Sequence, residues 1–302
     1  MEKYTLVQRA RAFDYLFDAV FVTDLQGIIT DWNEGSSKLY GYDKTEVIGQ
    51  PVHFLHVAED IDHITNEIFN SLSSDGKWNG EIRMQHKDGH IGWIESVIVP
   101  LYDCQEKIIG TVGINRDISS RIQKEEHLSR LAHYDALTDL PNRSLLLDRI
   151  EHLIKHAERE KSKFALLYID LDNFKTINDI EGHLSGDRVL QETAEKLKSC
   201  IRSSDTAARI GGDEFVILLE TIKDNSDINI LSENILDELN KPYLINNSSY
   251  IVSGSIGYAI YPDDGFTTDK LLTRADKSMY EIKNASRKSK RETKELLKKD
   301  YA

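Results

Sequence analysis

The sequence is poor in cysteine. Cys104 and Cys200, one in each half of 302 residues, exclude a disulfide framework and suit a reducing compartment. No apolar run approaches the roughly 20 residues that a membrane-spanning helix needs, and Met1-Glu2-Lys3-Tyr4 opens no secretory hydrophobic region. The expectation is a cytoplasmic protein with no membrane insertion. Positive charge is also scarce: 38 Lys and Arg against 51 Asp and Glu leave −13, which argues against a nucleic-acid-binding surface. The deficit is uneven, because residues 283–302 hold eight basic residues against three acids. That end carries +5, so residues 1–282 carry −18. Hydrophobic content is an ordinary 40%, enough for a core in each of two dissimilar halves, which predicts two domains.

Residues 1–12 are helical in composition and predict a short N-terminal helix. Over residues 13–118 alternation takes over. Ala19–Asp24 and Ile28–Trp32 read as strands around the turn Leu25-Gln26-Gly27. Asn33 opens a helical patch that runs through Tyr42, and Asp43-Lys44-Thr45-Glu46 has the spacing of a capping box. Three more strands follow in 80–86, 93–100 and 108–114, the first two joined by Lys87-Asp88-Gly89. Five strands with helices inserted between the second and third make an α+β unit.

On Asp18-Ala19-Val20, Asn33, Gly41-Tyr42, Glu46-Val47-Ile48-Gly49, Trp78-Asn79-Gly80-Glu81, Lys87-Asp88-Gly89 and Arg116-Asp117-Ile118, residues 13–118 resemble a PAS sensor domain. The resemblance implies an antiparallel five-stranded sheet and leaves the PAS ligand unknown. The Asn-Cys-Arg segment of the light-sensing flavin type is absent. His53, His56 and His63 lie near the region of the axial histidine in haem-binding relatives, but none stands just before Ser73-Ser74-Asp75-Gly76. Trp32 and Trp93 read as core residues, with stacking on a flavin as the other reading.

Residues 119–133 turn helical, with an apolar stripe broken at Glu125 and too short for a coiled coil on its own. A signalling helix between two domains and a solvated linker both fit. Beyond it, Leu145, Leu146, Ile150, Leu153, Ile154 and Ala157 make one helical face, on which His152 and His156 lack a third metal ligand. Phe164–Ile169 is a buried-strand run with Asp170 at its C-terminal end, where open sheets place ligands. A helix follows from about Gly186 to Ile201, with Asp187 in its first turn. Gly211-Gly212-Asp213-Glu214 separates the β-rich runs Thr206–Ile210 and Phe215–Leu219, predicting a tight hairpin with two carboxylates at its tip. Alone it is either an ordinary turn or a divalent-metal and phosphate site. A strand reading covers Tyr250–Ile260, and a last amphipathic helix buries Leu272, Ala275, Met279 and Ile282.

Asp135-Ala136-Leu137-Thr138-Asp139-Leu140-Pro141-Asn142-Arg143, the Asp170 to Asp187 block, Arg209-Ile210-Gly211-Gly212-Asp213-Glu214-Phe215 and Ala275-Asp276-Lys277-Ser278-Met279-Tyr280 occur in this order. On them residues 134–288 resemble a GGDEF domain, the catalytic module of diguanylate cyclases. The resemblance implies a nucleotidyl-cyclase-like fold, a central sheet surrounded by helices. It also implies a homodimer that joins two GTP into cyclic di-GMP, with two Mg²⁺ per active site about 3.5–4 Å apart and Mn²⁺ as a substitute. Asp170, the Leu171 carbonyl and Asp213 correspond to its metal ligands, and Glu214 to its essential second acid. Lys175, Lys283 and Arg287 would meet phosphates, with backbone amides at Asn173 and Phe174 completing the cradle. Asn178 and Asp187 correspond to its guanine readers; a carboxylate accepts from N1–H and the 2-amino group together, a pair adenine lacks. Arg202 and Asp205 stand at the offset of its inhibitory product site.

One stretch departs from the family pattern. Lys283 is followed by Asn284-Ala285-Ser286-Arg287 where a glycine, a turn and a final strand are usual, so residues 289–302 read as a basic, polar, helical tail. Three functional readings stand: a cyclase under PAS control, a catalytically silent receptor for GTP or cyclic di-GMP, and a PAS half that serves only as a dimerisation platform. The glycines, Asp213 and Glu214 are intact, which favours the cyclase. No EAL-type hydrolase half follows, so synthesis without degradation is expected.

Overall fold

The computed structural model describes Gln8, residues 11–245 and residues 248–299, with the side chains of residues 245, 286, 287 and 289–299 left aside. The expected N-terminal helix falls mostly outside the described residues, as do residues 300–302 of the tail. The chain divides into two compact units, residues 1–127 and 128–302.

The first unit is built on strands β1 (Ala19–Asp24), β2 (Ile29–Trp32), β3 (Trp78–Gln85), β4 (Ile91–Tyr102) and β5 (Ile108–Asp117). They form one antiparallel sheet in the order β2-β1-β5-β4-β3. Between β2 and β3 come α1 (Glu34–Tyr40), α2 (Lys44–Val47), two short 3₁₀ turns and α3 (Ile61–Asp75). Asn33 fixes the entry into α1. Its Oδ1 accepts from the N–H groups of Ser36 and Val20 at 2.7 and 2.9 Å, and its Nδ2 donates to the carbonyls of Asp18 and Phe13. A buried amide with every group used caps the helix and ties it to β1. At α2 the Glu46 carboxylate accepts from the Asp43 N–H at 2.9 Å, the expected capping contact. The core holds Phe21, Trp32 and Tyr40 as one aromatic cluster, with ring centroids 5.5–6.4 Å apart.

Helix α4 (Ser119–His133) begins in the first unit and ends in the second, and none of its residues is buried. The second unit continues with α5 (Arg143–Glu160), β6 (Phe164–Leu171), α6 (Phe174–Glu181), α7 (His183–Cys200), β7 (Thr206–Gly211), β8 (Glu214–Leu219) and α8 (Asn225–Leu239). It ends in β9 (Tyr243–Ile245), β10 (Ser248–Tyr250), β11 (Gly254–Tyr261) and α9 (Thr268–Lys299). The expected single strand over Tyr250–Ile260 is instead two elements: β10 pairs with β9, and β11 joins the main sheet, β11-β6-β8-β7.

β6 is apolar nearly throughout because both faces are covered. Leu167, Ile169 and Leu171 pack with residues of α7 and α8, while Phe164, Leu166 and Tyr168 pack with residues of α5 and α9. The same alternation sends Asp170 to the α9 side. No strand follows α9 among the described residues; the helix runs on through Lys299, as the polar sequence after Lys283 predicts.

Candidate active site

The site lies where β6 and β8 end side by side. Asp170 and Glu214 are Cα partners across the pair, and Ser255 of β11 flanks Asp170 on its other side. The Leu171 N–H donates to the Asp213 carbonyl at 3.2 Å, which draws the tip of the β7–β8 hairpin onto the end of β6. Gly212 takes φ +52°, the left-handed backbone that the tight tip needs.

Arg209 braces that tip. Its Nε and Nη2 donate to the Gly212 carbonyl at 3.1 and 2.8 Å, and its Nη1 donates to Asp135 Oδ1 at 2.8 Å. Asp135 accepts in addition from the N–H and hydroxyl of Thr138. Burial pushes the Asp135 pKa up, but bonds from Thr138 and Arg209 outweigh it and hold the carboxyl below its ordinary value. The Asp135 to Thr138 stretch therefore works as a strut for the glycine turn.

Lys283, on the face of α9 that meets the sheet, donates its Nζ to Asp170 Oδ1. Sequence reasoning put this lysine on phosphates; its partner here is the carboxylate expected to bind metal. Desolvation raises the Asp170 pKa, and the carboxylates of Asp213 and Asp172 add to the rise, so a cation beside it is stabilising. Among the described residues, Asp170, Asp213 and Glu214 do not gather into a cluster with all ligand atoms within 4.8 Å. Their chemistry nonetheless suits a hard divalent ion: carboxylate and carbonyl oxygens at a strand end, with a buried acid, Asp170, that calls for a counter-charge.

Burial likewise raises the Glu214 pKa, reinforced by Asp170, Asp276 and Asp213 and opposed by a hydrogen bond from Tyr168. The Tyr168 hydroxyl donates to Glu214 Oε2 at 3.1 Å. Burial, then the charge of Glu214, lifts the Tyr168 pKa well above its ordinary value, so the phenol stays a donor. Sequence reasoning missed both Tyr168 and Asp276. A signal existed: two residues before Asp170 on one strand and two from Glu214 across the register, Tyr168 must share their face.

The other sequence candidates fall into three groups. Asn173 takes φ +63° at the start of α6, and helix geometry leaves the Phe174 and Lys175 amides without intrahelical acceptors. The Lys175 side chain is exposed beside them. Asn178 of α6 faces α7, where a Cβ on Gly186 would stand 1.7 Å from its Oδ1. That oxygen is buried with no hydrogen-bond partner, and Asp187 follows Gly186 directly. Arg202 and Asp205 stand in the turn after α7, where Asp205 Oδ2 accepts from the Arg202 N–H and Oδ1 from the Glu220 N–H, each at 3.3 Å. Clefts of about 210 and 400 Å³ open on either side of the pair. The side chain of Arg287 lies outside the described residues.

In the first unit, Trp32 sits in the aromatic core with its Nε1 donating to Ser37 and the Tyr42 carbonyl, and Trp93 is half-buried. His53 and His63 are exposed; His56 is half-buried, with burial pushing its pKa down to about 4. No helix among the described residues is long and apolar enough to cross a membrane.

Comparison with known proteins gives the same division. The family model "Diguanylate cyclase, GGDEF domain" matches residues 132–289, and a PAS domain model matches residues 18–120. MucR of Pseudomonas aeruginosa, a bifunctional diguanylate cyclase and cyclic di-GMP phosphodiesterase, is 43% identical over 169 residues, 56% of this chain and 24% of that protein. The diguanylate cyclase TpbB of the same species is 38% identical over 174 residues, 57% of this chain and 40% of that protein. The solved structure of the TpbB GGDEF domain alone aligns with a TM-score of 0.50 at 38% identity, covering 51% of this chain and 90% of that one. The chain thus spans well under half the length of these curated relatives.

Proposed function

The chain belongs to the GGDEF family of diguanylate cyclase domains, with a PAS domain ahead in sequence, and from this we propose that it condenses two GTP into cyclic di-GMP and two pyrophosphates. One observation carries the reading. Asp170 and Glu214 are opposed at one sheet end, beside a braced Gly-Gly turn and within reach of a lysine from α9.

In each half-reaction a ribose 3′-oxygen attacks the α-phosphate of the other GTP, and the α–β phosphoanhydride bond breaks to release pyrophosphate. Asp170, the Leu171 carbonyl and Asp213 would hold Mg²⁺, or Mn²⁺ in its place, which when bound supplies charge neutralisation on the triphosphate. Glu214 faces the attacking hydroxyl, and its raised pKa suits it to receive that proton. The Phe174 and Lys175 amides bind phosphate oxygens as a helix N-terminus does, and Lys175, Lys283 and Arg287 add positive charge. Asn178 Oδ1, buried and unpartnered, is an acceptor for the guanine amino group, with Asp187 next to it in the same α6–α7 hairpin. Each chain presents one such set of residues, so the two new bonds call for two chains. The Arg202–Asp205 turn and its clefts bind the product, and the PAS unit governs how the two half-sites meet.

The test is GTP turnover with Mg²⁺, following cyclic di-GMP and pyrophosphate by chromatography. Wild type is expected to make both and Glu214→Gln neither. A folded, dimeric wild type, first stripped of bound product, that binds GTP and makes nothing would replace this reading with that of a receptor. Arg202→Ala is expected to remove inhibition by added product while leaving the initial rate.

A further inference from the structure

The β3–β4 hairpin of the first unit carries a cluster with no part in the chemistry above. His86 and His90 flank the three-residue loop Lys87-Asp88-Gly89 and are tied across it by the bond from the His86 N–H to the His90 carbonyl, 2.9 Å. Their rings stack with centroids 4.4 Å apart. Both Nδ1 atoms turn toward one carboxylate oxygen: Asp88 Oδ1 lies 2.9 Å from that of His86 and 2.6 Å from that of His90. Among the described residues this is the one group of three or more His, Cys, Asp or Glu side chains whose ligand atoms all fall within 4.8 Å of one another.

From this convergence we propose that His86, Asp88 and His90 form a binding site for a divalent transition-metal ion of the Zn²⁺ or Ni²⁺ type. Two imidazole nitrogens and one carboxylate oxygen select borderline metals over Mg²⁺ or Ca²⁺, which prefer all-oxygen shells. Bonds of about 2.0–2.2 Å in tetrahedral array place ligand atoms about 3.4 Å apart. The present contacts to Asp88 Oδ1 need to open by about 0.5 Å at His86 and about 0.8 Å at His90 to admit an ion.

Two features hold the ligands for this purpose. The His86 ring lies against Gly41, where a Cβ would stand 2.5 Å from its Cε1 and Nε2, so the far edge of the ring is closed off and Nδ1 is the edge presented. The loop itself is fixed at its first residue. The Lys87 N–H donates to the Tyr40 carbonyl at 2.9 Å, and Lys87 Nζ pairs with Glu46 at 2.6 Å, leaving the lysine charge engaged away from the cluster. Asp88 and His90 are exposed, so the fourth position is open to water. The ion would bridge β3 to β4 and, through Gly41 and Tyr40, fasten the hairpin to the end of α1.

The experiment uses the full chain, freed of metal with a chelator and held in excess Mg²⁺ so that hard-cation sites are filled. Zn²⁺ and, separately, Ni²⁺ are titrated by calorimetry. Wild type is expected to take up one ion per chain, with affinity falling about tenfold or more in His90→Gln and in Asp88→Asn, since even outer partners of a ligand matter that much. Both substitutions are at exposed positions, and unchanged circular dichroism verifies folding. His156→Gln, on the exposed face of α5, serves as the comparison and is expected to bind as wild type does. Equal affinity in wild type and His90→Gln, loss in His156→Gln instead, or no uptake by wild type would each overturn the site.

Discussion

The two units treat buried polarity in opposite ways. Of the six buried side-chain polar atoms without a partner among the described residues, five belong to the first unit: Ser36 Oγ, Tyr40 Oη, His56 Nδ1, Trp78 Nε1 and Asn115 Oδ1. The second unit contributes Asn178 Oδ1 alone. In the second unit Lys283, Tyr168 and Arg209 pair with acids at one end of the sheet, and Thr193 and Lys196 of α7 find partners in Tyr243 and the Lys241 carbonyl. The first keeps its unpartnered polar groups inside its core. Within a low-dielectric interior a polar group's energy depends strongly on the partner that satisfies it, so the first unit's interior is the more sensitive of the two to what occupies it.

The comparison is testable because all three tryptophans, Trp32, Trp78 and Trp93, lie in the first unit. Tryptophan fluorescence reports that unit, and GTP turnover reports the other. The largest effect is expected from Ile94→Ala, which opens a cavity beneath β4 and lowers the fluorescence-monitored unfolding free energy by about 2–5 kcal/mol. The matching Ile217→Ala in β8 should move turnover and circular dichroism while leaving the fluorescence transition in place. If both variants shift the tryptophan signal equally, the units do not unfold independently and the contrast fails.

Asp170→Asn should reduce turnover about 10²–10³-fold, the scale of one lost electrostatic partner to the transition state. Its unfolding should change little, because the amide oxygen still accepts from Lys283 and the cost of a buried charge is removed. A large loss of stability would show that the carboxylate is structural.

His56 supplies a pH test of the first unit. Burial lowers its folded pKa from 6.5 to about 4. The unfolded chain therefore binds a proton that the folded chain refuses, so stability is complete above about 6.5 and declines as pH falls toward 4. The loss across that window is about 3 kcal/mol, read from fluorescence-monitored melts, and His56→Gln should flatten it. An unchanged slope in the variant would remove His56 as the cause.

The smallest effect belongs to Tyr168→Phe. Losing one hydrogen bond to Glu214 should lower kcat about three- to tenfold with KM nearly constant, as for a residue that positions the acid without touching substrate. A change confined to KM would assign Tyr168 to GTP binding instead.

Much of this was legible in order along the chain. The strands of the first unit were evident from alternation, since each has one face on a core, and Asn33 and Asp43 announced their helix starts as cap residues do. The β7–β8 hairpin followed from Gly211-Gly212 between two β-rich runs. The break at Tyr250 was not legible, because local composition does not say which neighbour a strand pairs with, and β10 and β11 choose different partners.

The sequence by itself determined the kind of chemistry at issue. Acids, glycines, basic residues and the pair Asn178 and Asp187 stand at spacings that local backbone geometry can turn into strand ends, a tight turn and helix starts. Tertiary structure alone decided which of them meet. Lys283 rests on Asp170 across 113 residues, Tyr168 reaches Glu214, Arg209 braces Gly212 against Asp135, and His86 folds over Gly41 toward Asp88 and His90. The reason is one of range: spacing along a helix or strand fixes the face a side chain occupies, but only packing, which balances burial against pairing for the whole chain at once, fixes what stands opposite that face.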